Sequence, residues 1–271
     1  MSFTEIAVLT FCAAAAGAVN ALAGGGMLVA YPVLVAFGLS PIAGNATATV
    51  ALLAGGIGAQ LGYRKEMKGT APYLKALVLP CIAGGIAGAF LLLNTPPRSF
   101  AAMVPGLVLL ATFLFAAQAP ITRLALAIHA RITGATGTAT DPGAALVVPA
   151  APTMMLLVLQ FAISIYIGYF GAGAGAIMLA SFGFAGLVNI HQMNGLKLWC
   201  GMLTNVTAAV VFALQPGLVH WPLVAVMTCG SVVGGYASSR VAQRVSDKSV
   251  RLTIVAIGVA MAAWLTVAAL A

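Results

Sequence analysis

Apolar residues run along this chain in ten stretches, at about 4–22, 25–38, 44–63, 72–93, 100–118, 151–169, 173–188, 191–214, 218–238 and 249–270. Most approach the roughly 20 residues a helix needs to cross about 30 Å of hydrocarbon. The second and seventh fall short, and both open on glycines, in "NALAGGGMLVAYPVLVAFG" and "GYFGAGAGAIMLASFGFAG". Between the fifth and sixth stretches lies a weakly polar segment rich in Thr, Gly and Pro. The pattern therefore divides the chain into a first membrane unit (1–118), a cytoplasmic linker (119–150) and a second membrane unit (151–271).

The two units match in kind when one is displaced on the other by 149 residues, the interval from Gly24 to Gly173. Gly26 then falls on Gly175, Asn45 on Asn194 and Asn20 on Tyr169, and the short stretches coincide. Identity is weak, but this placement of glycines and asparagines reads as an internal repeat.

Composition fixes the solvent. Apolar residues make up 62% of the chain and charged ones 6%, against about a quarter charged in a soluble domain. So few charges cannot cover a water-facing surface, and the predicted class is an all-α integral membrane protein. The net charge of +8 then bears on orientation and not on nucleic acid. Ten of the twelve Lys and Arg form three groups: Arg64, Lys65, Lys68 and Lys75; Arg123 and Arg131; and Arg240, Arg244, Lys248 and Arg251. They share one side of the membrane only if both glycine-led stretches cross it. Were those stretches re-entrant, the Arg64 and Arg240 groups would lie on opposite sides. The expected topology is ten segments with both termini outside. Five segments per unit is odd, so the second repeat is inverted relative to the first. An early Ala-rich stretch has the look of a signal peptide, but Glu5 is the only charge near it, and it is read as a retained first helix.

A short helix that begins within the bilayer leaves its first N–H groups without partners, and lipid supplies none. Glycines let the chain turn there and let a solute approach the backbone. The positive end of the helix then suits an anion. Inverted repeats, each with a broken helix, are the build of secondary transporters.

The stretch "NALAGGGMLVAYPVLVAFGLSPIAGNATATV", with its weaker second copy, resembles the TauE/SafE sulfite exporter family over essentially the whole chain. The Gly-rich turn, Pro32 in the short helix and the small and hydroxyl residues after it carry the likeness. The second copy departs from it, with Ser181 for the proline and Gly195-Leu196-Lys197 where the first has Ala46-Thr47-Ala48. The resemblance implies transport of a small sulfur-containing anion, of the sulfite, organosulfonate or thiosulfate class, across a bacterial inner membrane, with export the expected direction.

The charges agree on the sign of the cargo. Glu5, Glu66, Asp141 and Asp247 all sit at segment ends or in loops, whereas Lys197 lies inside a segment. Cation pumps and proton relays keep carboxylates within the membrane; here only His191 or the cargo itself is placed to carry a proton. The candidate binding residues are Asn20, Gly24, Gly25, Gly26, Asn45, Thr47, Tyr169, Gly171, Gly173, Gly175, Asn194 and Lys197. Thr49, Thr204 and Asn205 read instead as bonding their own backbone or a neighbouring helix. Lys197 has two readings, a side chain that snorkels to the surface or a cation whose counter-ion is the cargo. The glycines have an alternative in close helix packing, and the asparagines in capping.

No Gly-x-Ser-x-Gly elbow, His-Glu-x-x-His run or His/Cys/carboxylate cluster occurs, so neither an enzyme, a metal site nor a cofactor is expected. The four cysteines have no paired spacing. An anion channel, or a carrier of another small organic anion, is the alternative. A homodimer is compatible with the sequence, which does not require one.

Overall fold

The computed structural model describes residues 2–62, 67, 69–133, 152–187, 189–241, 255–256 and 258–263, and all regular structure among them is helical. In chain order the helices are α1 (Phe3–Ala23), α2 (Met27–Ala36), α3 (Pro41–Gly62), α4 (Ala71–Asn94), α5 (Pro97–Ala116), α6 (Gln118–Thr133), α7 (Met154–Tyr169), α8 (Ala174–Phe184), α9 (Ile190–Ala213) and α10 (Trp221–Val241). Four of the described helices, α1, α4, α5 and α9, are long and apolar enough to cross a membrane. The chain is thus a multi-pass helical membrane protein. The last apolar stretch, 249–270, is described only at 255–256 and 258–263, which are helical. Arg64, Lys65, Lys68, Arg244, Lys248 and Arg251 lie outside the described residues.

Sequence-local chemistry starts the helices. Ser2 and Glu5 form a reciprocal capping box on α1. Thr153 caps α7 by accepting from the Leu156 N–H at 3.3 Å. Asn189 caps α9, its Oδ1 accepting from the His191 and Gln192 N–H groups at 2.9 and 3.3 Å. Asn194, one turn further on, is therefore not the cap.

The expected linker begins as a helix. α6 turns Thr122 and Ala125 inward while Arg123 and Leu124 stay exposed. It lies on α8, where a Cβ on Gly183 would meet the Ala125 Cβ at 3.4 Å and the Leu126 Cγ at 3.5 Å.

Small residues bring the long helices together backbone to backbone, as expected where lipid removes the hydrophobic drive between helices. On α4, a Cβ at Gly84 would lie 2.7 Å from the Phe161 carbonyl, and one at Gly88 would strike the Ile165 carbonyl and come within 2.9 Å of the Gly168 Cα. Gly85 faces the Thr204 carbonyl, 2.8 Å from where its Cβ would be. Cys81, one turn earlier, sits beside Cys200. In each pair the numbers rise together, so α4, α7 and α9 run in one direction. The same holds for α3 and α10. Thr47 Oγ1 accepts from the His220 N–H at 3.1 Å, the Ala51 carbonyl accepts from Ser231 Oγ at 3.0 Å, and Gly55 meets Gly235. Tyr31 of α2 and Phe100 of α5 both pack edge-on to Phe170, with ring centroids 5.6 and 6.4 Å apart, which ties the second glycine break to the first half of the chain.

Candidate functional site

The two glycine breaks meet at the centre of the bundle. Gly24 ends α1 in the left-handed region at φ 71°, and a Cβ there would lie 3.6 Å from the Gly175 Cα. Gly171 and Gly173 turn the second break with φ of 76° and 74°. In that break the first bond across the start of α8 is donated by the Ala176 N–H to the Gly173 carbonyl at 3.2 Å. Among the described residues the Ala174 and Gly175 amides are thereby left without a backbone partner at the positive end of an 11-residue helix.

These breaks wall a cavity of about 90 Å³. At about 15 Å³ for each water centre it has room for roughly six waters, or for one small anion. Asn20, Gly24 and Met27 line it from the first break, and Phe170, Gly171, Ala174 and Gly175 from the second. α3 contributes Thr49, Leu52, Leu53 and Gly56, and α9 contributes Lys197, Leu198, Gly201, Met202 and Asn205.

Lys197 is the one charged residue buried among the described residues, at 3% exposure. Its ammonium donates to Asn194 Oδ1 at 2.9 Å, across one helical turn. That partner is neutral, and among the described residues no carboxylate matches the charge of Lys197. The side chain does not snorkel; it ends at the cavity wall.

Of the sequence candidates, Asn20, Gly24, Gly171, Gly175 and Lys197 line this space, and Asn194 reaches it through Lys197. The others stand around it. Asn45 Nδ2 donates to the Tyr169 carbonyl at 2.9 Å, and Thr47 holds the His220 amide. The Tyr169 hydroxyl points away, within 3.4 Å of Thr95 Oγ1. Gly25 faces Val19, Leu28 and Phe115; Gly26 closes onto Ala16 and Asn20; Gly173 abuts the Ala111 backbone. Gly26 and Gly173 allow close packing, whereas a Cβ at Gly25 would find ordinary contacts at 3.5–3.9 Å.

Thr49 and Asn205 do bond their own helices, to the Asn45 carbonyl at 2.9 Å and the Gly201 carbonyl at 2.8 Å, yet both also line the cavity. The signal for the α9 wall was the i, i+4, i+8 series Lys197, Gly201, Asn205. The three methionines of the wall, Met27, Met178 and Met202, carried no such signal. Among the described residues no three His, Cys, Asp or Glu side chains come together to hold a metal.

A multi-pass helical bundle with a small cavity at crossed helix breaks, carrying one buried cation among the described residues, has the form of a membrane transporter. The comparison with known proteins makes the class specific. Residues 9–265 match the model of the family described as "Sulfite exporter TauE/SafE", and the chain belongs to that family. It is similar to the "Probable membrane transporter protein ORF9" of Sinorhizobium sp, with 26% identity over 262 residues, 97% of this chain and 92% of that protein. No solved structure matches.

Proposed function

We propose that this protein is a secondary transporter that moves a small sulfur-containing anion, of the sulfite, organosulfonate or thiosulfate class, outward across the bacterial inner membrane. The cargo occupies the cavity between the two glycine breaks and supplies the counter-charge to Lys197, while the Ala174 and Gly175 amides donate to its oxygens. The cavity alternates between the two sides of the membrane as the repeats exchange conformations. The observation that carries the reading is the buried ammonium of Lys197 at a cavity of anion size, with the neutral Asn194 as its partner among the described residues.

Ten membrane segments in two inverted repeats are part of this proposal, and the helix directions support them. When every segment crosses, α3 and α10 point inward and α4, α7 and α9 outward. If α2 and α8 were re-entrant and the linker stayed on one side, α3 would oppose α10 and α4 would oppose α9. The parallel pairing at Gly85 with Thr204 and at Gly55 with Gly235 favours the first arrangement.

Purified protein in sealed vesicles tests the function. A carrier gives saturable sulfite uptake that exchanges with internal sulfite and leaves no macroscopic current. A steady anion current points to a channel, and no anion flux at all refutes the reading.

A further inference from the structure

The two glycine breaks are in different states. In the first repeat α1 runs on to Ala23, and its last turn is closed by the Gly24 N–H donating to the Asn20 carbonyl at 2.9 Å. In the second, α7 stops at Tyr169, the residue 149 places after Asn20, and residues 170–173 have left the helix. The Phe170 and Gly171 N–H groups both turn back to the Tyr166 carbonyl at 2.9 Å. The Tyr169 carbonyl accepts instead from Asn45 Nδ2, also at 2.9 Å. One turn is therefore wound in one repeat and unwound in the other, and an asparagine from the opposite repeat holds the carbonyl that unwinding frees.

The counterpart of Asn45 is Asn194, and that of Tyr169 is Asn20. Pseudo-symmetry thus implies a second bond of the same kind, from Asn194 Nδ2 to the Asn20 carbonyl, in a state where residues 21–23 unwind and free that carbonyl. Asn194 stands ready for it on the cavity side, where its Oδ1 accepts from Lys197 at 2.9 Å. Asn45 also shows the cost of its position. It is 1% exposed, and its Oδ1 is buried with no hydrogen-bond partner. A buried acceptor without a partner calls for an explanation.

We propose that Asn45 and Asn194 are alternating latches, positioning residues that hold the two end states of the transport cycle. In the state described here Asn45 grips the unwound end of α7. In the other state α7 rewinds through Phe170, the end of α1 unwinds, and Asn194 grips the Asn20 carbonyl. Because Asn194 also holds the Lys197 ammonium, the exchange of latches reaches the cargo cavity. The inference rests on the transporter reading above.

The test uses the full-length chain with Cys12 and Cys229 replaced by Ala and with Met202→Cys as a reporter in the cavity wall. A membrane-impermeant thiol reagent is applied from each side of oriented vesicles, with no anion present. Asn45→Ala removes one latch and should shift the ratio of labelling from the two sides by about three- to tenfold, the worth of one hydrogen bond. Asn194→Ala should shift it by a similar factor in the opposite direction, and the double variant should return towards the parent ratio. Asn45→Asp, which keeps the shape and loses the amide donor, serves as the second variant if Asn45→Ala does not fold. Shifts in the same direction, or no shift in either variant, overturn the latch. Opposed shifts in a protein that moves no sulfur anion refute the cargo reading and leave the latch standing.

Discussion

Replacing Lys197 by methionine separates the charge of this residue from its volume. The side chains are of similar length, and Lys197 is 3% exposed, so Met fills the same space. A lysine at this depth costs about 2.5–3.5 kcal/mol on insertion scales. The bond to Asn194 Oδ1 at 2.9 Å returns about 1.5–3 kcal/mol, as hydrogen bonds to charged groups do. Removing both leaves stability unchanged or raised by up to about 2 kcal/mol. Binding moves the other way. An anion in the cavity loses its one charged donor, worth about 1.5–3 kcal/mol, and affinity falls by about 10- to 150-fold. Lys197→Arg keeps the charge and should keep part of the activity. Thermal unfolding of the detergent-solubilised protein with and without sulfite reads both effects, and sulfite uptake into vesicles reads the consequence. A Met variant that binds and moves sulfite like the parent would refute the reasoning.

Other substitutions probe the walls and the frame. A Cβ on Gly201 meets nothing within 4 Å, and Gly201 and Ala174 both line the cavity; Gly201→Leu and Ala174→Leu should abolish sulfite uptake while expression and thermal stability persist. Gly25→Ala, which points at Val19, Leu28 and Phe115 instead, should transport normally. Gly88→Leu drives a side chain into the Ile165 carbonyl and should lower the yield of folded protein, measured by size-exclusion chromatography, whatever anion is present. A cysteine at Pro216 should react with an impermeant reagent from outside and one at Arg244 only after permeabilisation; labelling of both from one side would refute the ten-segment topology.

Much of the frame was legible because hydropathy marks where lipid is the solvent. The stretch at 72–93 became α4 at Ala71–Asn94, and the one at 191–214 became α9 at Ile190–Ala213. α6 was missed because "QAPITRLALAIHARIT" is too short and too polar to announce a crossing, and its role emerges only from its contact with α8. In the site, the pairing of Lys197 with Asn194 was legible from their spacing of one turn. The bond from Asn45 to the Tyr169 carbonyl spans 124 residues and depends on how the repeats interlock. The three consecutive glycines posed a different difficulty. The backbone reverses direction there, so composition alone cannot say that Gly24 faces the cavity while Gly25 and Gly26 face α1 and its neighbours.

Two departures of the second repeat from the first bear on the symmetry of the proposed site. Lys197 has Ala48 as its counterpart, which is fully buried. A lysine at both positions would place two ammonium groups around a cavity of about 90 Å³, and their repulsion in a medium of low dielectric would hold it open or neutralise one of them. The lysine on α9 alone avoids this, and in the proposed cycle it would draw the cargo to one wall. Pro32 and Ser181 differ in the same sense. The proline removes a donor from α2, whereas Ser181 turns its hydroxyl back to the Met178 carbonyl at 2.8 Å and leaves α8 regular. The helix that presents the unbonded Ala174 and Gly175 amides is thus the regular one, beside the repeat that carries the charge. In the proposed cycle, near-symmetry would let the two halves exchange states, and the breaks in that symmetry would give the anion one place to sit while they do so.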